Sequence, residues 1–131
     1  MKLLLDTHAW LWANAQPQKL NRRARRELES LKHELYLSPV SIWEAHQLAR
    51  RGRLVAKPTF SDWLDRTLGQ TPLREAPFNF AVAAECASIT LLHSDPGDVF
   101  LAATAKLFDM TLVTADDQLL SARWLRTMKC D

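Results

Sequence analysis

The sequence predicts an α/β fold built on a parallel sheet with helices on both faces. Short apolar runs occur at 2–6, 35–37 and 111–114, and segments with helical periodicity lie between them. This alternation is typical of parallel sheets, because their strands are buried on both sides. The chain has 131 residues, 47% of them hydrophobic, which predicts a single domain over residues 1–131.

Capping signals place the helices of the first half of the chain. A helix is predicted over 7–13, directly after the first strand. A basic amphipathic helix is predicted from Asn21, where apolar residues recur at helical spacing: Leu20, Ala24, Leu28, Leu31 and Leu35. Ser38 followed by Pro39 is typical of a helix N-terminus, and we expect this helix to end before Gly52.

The second half of the chain is punctuated by Gly69, Pro72 and Pro77. Ser61 is the expected N-cap of the next helix. The stretch 99–108 is apolar nearly all round, which predicts a buried helix. Helices are predicted at 61–68, 80–87, 99–108 and 116–122, and strands at 73–75, 111–114 and 124–130.

Four carboxylates stand where predicted strands end or helices begin: Asp6, Glu44, Asp98 and Asp116. The carboxyl ends of parallel strands meet at one edge of the sheet, which is where open α/β proteins bind ligands. Carboxylates gathered there raise one another's pKa unless a cation neutralises them. Oxygen ligands of this kind suit Mg²⁺, so the pattern predicts a metal-dependent phosphodiesterase.

Each acid also has a structural interpretation. Asp6 is a suitable N-cap for the helix that follows it, and either Asp116 or Asp117 suits a helix N-terminus. Glu44 fits this interpretation poorly, because a helix that starts at Ser38 leaves it too far along to reach back to the cap. We therefore expect Glu44 to lie at the edge of an apolar stripe and to need a partner.

The DPGD segment contains two acids with different expectations. Asp95 as N-cap and Pro96 as first helical residue make a good helix start, so capping explains Asp95. Capping explains Asp98 less well, because one acid already satisfies much of the helix end. Asp98 is therefore the favoured ligand, and Asp95 and Asp117 are at most secondary candidates.

The composition excludes several other kinds of site. With three glycines, the chain has neither a dinucleotide-binding nor a phosphate-binding glycine loop. Cys86 and Cys130 form no C-x-x-C pair, and no histidine has zinc spacing. No signal peptide and no apolar stretch of membrane-spanning length is seen, so we expect a cytoplasmic protein that does not contact a membrane.

Basic and aromatic residues give further expectations. The net charge is +2, but arginines cluster at 22–26 and 50–53, which favours a polyanionic partner. Trp10, Trp12 and Trp43 fall within apolar patterns. We interpret them as core or partner-interface residues in preference to base-stacking platforms.

Four segments in this order resemble the PIN-domain family, specifically the VapC-like toxins of type II toxin–antitoxin systems: LLLDTHAWLW, SIWEAHQL, LLHSDPGDVFLAATA and TLVTADDQLL. The resemblance implies a three-layer α/β/α fold with a central, mostly parallel sheet. It also implies an endoribonuclease that uses Mg²⁺ or Mn²⁺ and leaves 5′-phosphate and 3′-hydroxyl ends. Expected partners are an RNA substrate, a cognate small antitoxin, and a second copy of the chain in a homodimer or higher toxin–antitoxin heteromer.

The resemblance assigns the four acids to the catalytic metal site. Asp6, Glu44 and Asp98 are expected to hold the principal ion, and Asp116 to complete its shell or help hold a second ion. Three hydroxyls beside the acids, of Thr7, Ser41 and Thr114, are expected to be structural. The chain departs from the family at Val99, where an arginine often follows the second aspartate.

Three rival interpretations remain open. A receiver-like signalling domain also places acids and Mg²⁺ at strand ends, but the segment TLVTADD lacks the lysine that it needs. A haloacid-dehalogenase-like phosphatase needs a second aspartate where His8 stands. A catalytically inactive α/β binding module, whose acids only cap helices, predicts neither metal affinity nor hydrolysis.

Overall fold

A computed structural model describes residues 1–91 and 95–131 and contains a five-stranded parallel sheet. Its strands are β1 (Lys2–Leu5), β2 (Glu34–Leu37), β3 (Leu73–Glu75), β4 (Thr111–Thr114) and β5 (Thr127–Lys129). They lie in the order β3-β2-β1-β4-β5, and every neighbouring pair is parallel. Central β1 pairs through Leu5 with Leu37 on one side and with Val113 on the other.

Helices cover both faces of the sheet. In the described ranges they are α1 (Thr7–Ala15), α2 (Arg22–Glu29), α3 (Pro39–Arg50), α4 (Phe60–Gln70), α5 (Phe80–Glu85), α6 (Pro96–Phe108) and α7 (Asp117–Ser121). Short 3₁₀ turns occur at Pro17–Lys19 and Cys86–Ser88. None of the helices in the described residues has the length and apolar content needed to span a bilayer.

Alternate strand residues build two separate cores, as the pleat of a strand requires. Leu3 and Leu5 of β1 face a cluster with Trp10 and residues of α2, α3 and α4. Leu4 faces the opposite cluster, which contains Leu101 and other residues of α6 and α7. The predicted three-layer α/β/α architecture is therefore confirmed.

Several predicted boundaries are confirmed because local capping chemistry decides them. Ser38 caps α3 by accepting from the Val40 backbone N–H at 3.1 Å, and Pro39 is the first helical residue. After α3, Gly52 has a φ of 73°, a left-handed conformation that favours glycine. Asp95 caps α6 in the same manner as Ser38 caps α3.

Two sequence predictions are wrong at the element boundaries. The basic helix α2 ends at Glu29, so Leu31 is 100% exposed and the predicted helical spacing stops short of it; Leu35 lies in β2, where the strand at 35–37 was predicted. The helical spacing of the leucines does not determine the structure here, because Leu35 pairs with Leu3 of β1 in the sheet. The N-cap of α4 is Thr59, not Ser61.

Thr59 is the N-cap of α4 because it makes two hydrogen bonds with Asp62, one to the backbone and one to the side chain. Its hydroxyl accepts from the Asp62 backbone N–H at 3.1 Å and lies 2.7 Å from the Asp62 carboxylate, to which it donates.

Candidate metal centre

The four predicted acids line one pocket at the carboxyl edge of the sheet. The pocket has a volume of about 350 Å³ and lies beyond the ends of β1 and β4. Its acidic lining residues are Asp6, Glu44, Asp95, Asp98 and Asp116. Asp117, the alternative to Asp116, is exposed in the first turn of α7 and is not part of this lining. The structure thus brings together acids that are as far apart in sequence as 6 and 116.

Asp6 is held in place by the end of β4 and the start of α1. Its Oδ1 accepts from the Ala9 backbone N–H at 2.8 Å, and its Oδ2 accepts from the Thr114 hydroxyl at 2.5 Å. Burial raises the pKa of Asp6, although these two hydrogen bonds act in the opposite direction. Asp6 therefore both caps α1 and lines the pocket.

Glu44 extends into the pocket from α3, and Thr7 is the hydrogen-bond partner that the sequence led us to expect for it. Thr7 Oγ1 lies 2.6 Å from Glu44 Oε1 and 3.0 Å from Ser41 Oγ. Because Thr7 has one hydroxyl proton, donation to Glu44 leaves it to accept from Ser41. Burial raises the pKa of Glu44, and the charges of Asp95 and Asp6 raise it further.

Gly97 provides the space that Glu44 occupies. A Cβ atom at Gly97 would lie 2.5 Å from Glu44 Oε2 and 2.9 Å from its carboxyl carbon, closer than any real contact. Sequence reasoning missed this residue. Its only signal was a glycine at the second position of a helix, where alanine is the better helix former.

The remaining acids stand at helix N-termini. Asp95 caps α6 by accepting from the Gly97 backbone N–H at 3.0 Å, and Asp116 caps α7 by accepting from the Leu119 backbone N–H at 3.0 Å. Asp98 lies in the first turn of α6, half-buried, and is not the cap. Asp95 and Asp116 each cap a helix and also line the pocket, since the capping hydrogen bond uses one carboxylate oxygen.

The donor set suits a hard divalent cation. The acids offer oxygen ligands, and a bound cation would offset the burial and mutual repulsion that raise the pKa values of Asp6 and Glu44. As the side chains stand, no three His, Cys, Asp or Glu groups within 1–91 and 95–131 converge closely enough to hold an ion. Binding would therefore draw the carboxylates of the pocket together.

Other singled-out residues have clear positions. His8 is exposed at the pocket, and its ring lies 5.9 Å from that of Trp12. His93 lies outside the described residues. Trp10 is buried, as expected of a core residue. Trp43 is 62% exposed, which excludes the core and leaves the partner interface as the remaining half of its predicted role. Burial raises the pKa of Cys130 to about 12, consistent with a packing role.

Comparisons with known proteins agree on one family. A sequence model described as "PIN domain" matches residues 3–125. Ribonuclease VapC22 of Mycobacterium tuberculosis (strain ATCC 25618 / H37Rv) is 34% identical over 129 residues, which cover 92% of this chain and 92% of that protein.

Solved structures share the fold. VapBC2 from Rickettsia felis, bound to a DNA fragment from its promoter, matches with a TM-score of 0.73 at 16% identity, covering 100% of both chains. FitAcB from Neisseria gonorrhoeae matches with a TM-score of 0.63 at 24% identity, covering 97% of this chain and 96% of that one. At these identities the likeness concerns the fold alone.

Proposed function

The chain belongs to the PIN-domain family, and on that premise we propose that it is an endoribonuclease that hydrolyses RNA with carboxylate-held Mg²⁺ or Mn²⁺. The observation that carries the proposal is the pocket itself, where acids from four separate segments meet at the carboxyl edge of a parallel sheet. The similarity to a protein named Ribonuclease VapC22 supports RNA as the substrate class.

We assign the metal to Asp6, Glu44 and Asp98, with Asp116 either completing its shell or helping to hold a second ion. A bound ion would supply Lewis-acid activation of water and neutralise charge at the scissile phosphate. The chain's own hydroxyls orient two of the ligands: Thr114 holds Asp6 at 2.5 Å and Thr7 holds Glu44 at 2.6 Å. Each of these bonds uses one lone pair of a carboxylate oxygen, and since every carboxylate oxygen has two lone pairs, acceptor capacity remains for the ion.

The test compares two acids that each lie in the first turn of a helix. Asp98 lies in the first turn of α6 and lines the pocket, whereas Asp117 lies in the first turn of α7 outside it. Single-stranded and structured RNAs are incubated with the protein in Mg²⁺, Mn²⁺ or EDTA. We expect Asp98→Asn and EDTA to abolish cleavage, and Asp117→Asn to retain it. Cleavage that survives both EDTA and Asp98→Asn contradicts the mechanism.

A second readout does not depend on catalysis. Because the acids form a pocket only in the folded chain, Mn²⁺ should stabilise the native state by about 2.7 kcal/mol at 100 times its Kd. Thermal melting should therefore shift upward with Mn²⁺ in the wild-type protein and much less in Asp98→Asn. An unchanged melting temperature up to millimolar Mn²⁺ would favour the inactive module whose acids only cap helices.

We also propose that the protein is the toxin of a toxin–antitoxin pair and acts in the cytoplasm. Several structures with this fold are described as VapBC or toxin–antitoxin complexes. A groove of about 630 Å³ between α1, α3 and α4, lined by both apolar and polar side chains, meets the acidic pocket at His8 and Trp12. Three cations line this groove: Lys19, Arg53 and Arg66.

The groove predicts the chemistry of the antitoxin. A segment with apolar residues for the floor and acidic residues for the three cations fits it best. Co-expression with the adjacent reading frame should give a stable complex, and Leu48→Glu should disrupt it, because Leu48 lines the groove. A complex that survives Leu48→Glu would place the antitoxin elsewhere.

We propose that two copies of the chain form a homodimer through the side of the molecule opposite this groove. Exposed apolar residues there include Phe78, Phe80 and Leu107, and Phe80 is 95% exposed. Burial of such a patch is typical of interfaces between copies. Light scattering should report a dimer for the wild-type protein and a monomer for Phe80→Asp. A wild-type monomer would contradict this assignment.

A further inference from the structure

One exposed face of α3 carries three residues of mixed chemistry. Trp43, Gln47 and Arg51 are spaced four residues apart, so they follow one another along the same side of the helix and its C-cap. Trp43 is 62% exposed and makes no ring contact with the part of the chain that the structure describes. The exposed indole is therefore available to contact a ligand.

This face lines a cavity that continues from the acidic pocket. The cavity has a volume of about 240 Å³, and Trp43, Gln47 and Arg51 all contribute to its lining. It shares Thr7, His8, Glu44 and Asp95 with the acidic pocket. A nucleic-acid strand with one phosphate among the carboxylates would therefore extend directly along α3.

The three side chains match the parts of an unpaired nucleotide. The indole of Trp43 offers a π-face for a base, which is how proteins hold single-stranded nucleic acid. The Gln47 amide both donates and accepts, as the edge of a base requires. Arg51 supplies a cation for a phosphate at the end of the face farthest from Glu44, so charge changes from acidic to basic along the cavity.

We propose that Trp43, Gln47 and Arg51 form a nucleotide subsite that holds the unpaired residue of the RNA next to the scissile phosphate. This subsite rests on the proposed ribonuclease function and adds to it a requirement for single-stranded RNA at the cut. RNA fits this face better than a protein segment does. The apolar floor that a protein segment needs is concentrated in the groove on the other side of His8.

The subsite is tested by RNA binding in EDTA, where hydrolysis does not intervene. A fluorescent single-stranded RNA is titrated with the full chain at several salt concentrations. Trp43→Leu should weaken binding about 5- to 150-fold, which corresponds to ~1–3 kcal/mol of base stacking, and Trp43→Phe should retain most of the affinity. Arg51→Gln should reduce the salt slope by about one phosphate contact.

Two matched controls separate the subsite from general effects. Trp124 is also partly exposed, at 42%, but packs with Lys106 on the α6 side of the sheet. Arg50 neighbours Arg51 but is absent from the cavity lining. Trp124→Leu and Arg50→Gln should therefore leave RNA affinity nearly unchanged. In Mn²⁺, Trp43→Leu should raise KM for single-stranded RNA more than it lowers kcat.

Each outcome has a distinct meaning. Unchanged RNA affinity in Trp43→Leu and Arg51→Gln, with metal-dependent cleavage intact, overturns the subsite and leaves the ribonuclease proposal standing. A wild-type protein that neither binds nor cleaves RNA overturns both. If Trp43→Leu instead loses the antitoxin complex at unchanged RNA affinity, the face is a protein interface. Equal loss of affinity for a fully paired duplex also overturns the subsite, since a paired base offers no free face.

Discussion

Replacing Gly97 with alanine should damage the proposed metal centre without unfolding the protein. The new Cβ would meet Glu44 Oε2 at 2.5 Å, whereas ordinary van der Waals contact begins at 3.4 Å, so the carboxylate must retreat by about 0.9 Å. The side chain that has to yield is the flexible end of Glu44, because the neighbouring backbone of α6 is fixed by the Asp95 cap. Such a retreat moves the carboxylate that Thr7 holds at 2.6 Å, so the geometry of that contact must change.

The size of the effect follows from that displacement. Misplacement of a catalytic group by about 1 Å can cost about 100-fold in rate, so we expect kcat/KM of Gly97→Ala to fall about 10- to 100-fold. Stability should respond differently. Alanine is favoured over glycine in a helix by ~1 kcal/mol, which offsets the cost of moving one flexible side chain. The melting temperature should therefore change little.

The assay pairs RNA cleavage with calorimetric titration of Mn²⁺, and Gly69→Ala is the matched control. Gly69 lies in α4, and a Cβ there would have no atom within 4 Å. The control should keep full activity and Mn²⁺ affinity. Gly97→Ala with wild-type kcat/KM and wild-type Mn²⁺ affinity would refute the role of Gly97 in positioning Glu44.

Three further predictions concern titrating groups. Burial raises the pKa of Asp6 in the folded protein above its value in the unfolded chain. Between these two pKa values the folded apo protein binds more protons than the unfolded chain. Its free energy of unfolding should therefore fall as pH rises through that interval. In EDTA, melts between about pH 4 and 8 should show Asp6→Asn lessening this fall; an unchanged slope contradicts it. The Thr114 hydroxyl lowers the pKa of Asp6, so Thr114→Val should move the acid limb of the pH–rate profile to higher pH, and a stationary limb would count against the bond. With its pKa raised to about 12, Cys130 should resist thiol reagents until urea unfolds the chain, while half-buried Cys86 reacts slowly beforehand; early labelling of Cys130 in a mass spectrum would oppose this.

Local chemistry made much of the fold predictable. Ser38 before Pro39 and Asp95 before Pro96 mark helix starts through groups that lie within a few residues of one another. The meeting of the acids was predictable for a different reason, because parallel strands end at one edge. Capping a helix and lining the pocket do not exclude each other, since Asp6 does both.

What the sequence did not reveal depends on contacts between distant segments. The fit of Glu44 against Gly97 arises from the packing of α3 on α6, which no local pattern encodes. Leu31 continues a helical spacing, yet the strand that follows it pairs with β1 and ends the pattern. Trp43 sits among apolar neighbours in sequence, but its side chain projects to the outside of α3.

The strand order also bears on synthesis of the protein by the ribosome. Central β1 is translated first, but one of its two neighbours, β4, begins at Thr111. A nascent chain stalled before that point leaves one edge of β1 unpaired and lacks Asp116, so the acidic pocket is incomplete. Domains acquire such long-range pairings only once both segments have emerged. The acidic pocket is therefore complete only after β4 and Asp116 have been synthesised, so a chain truncated before Thr111 should lack the proposed nuclease activity.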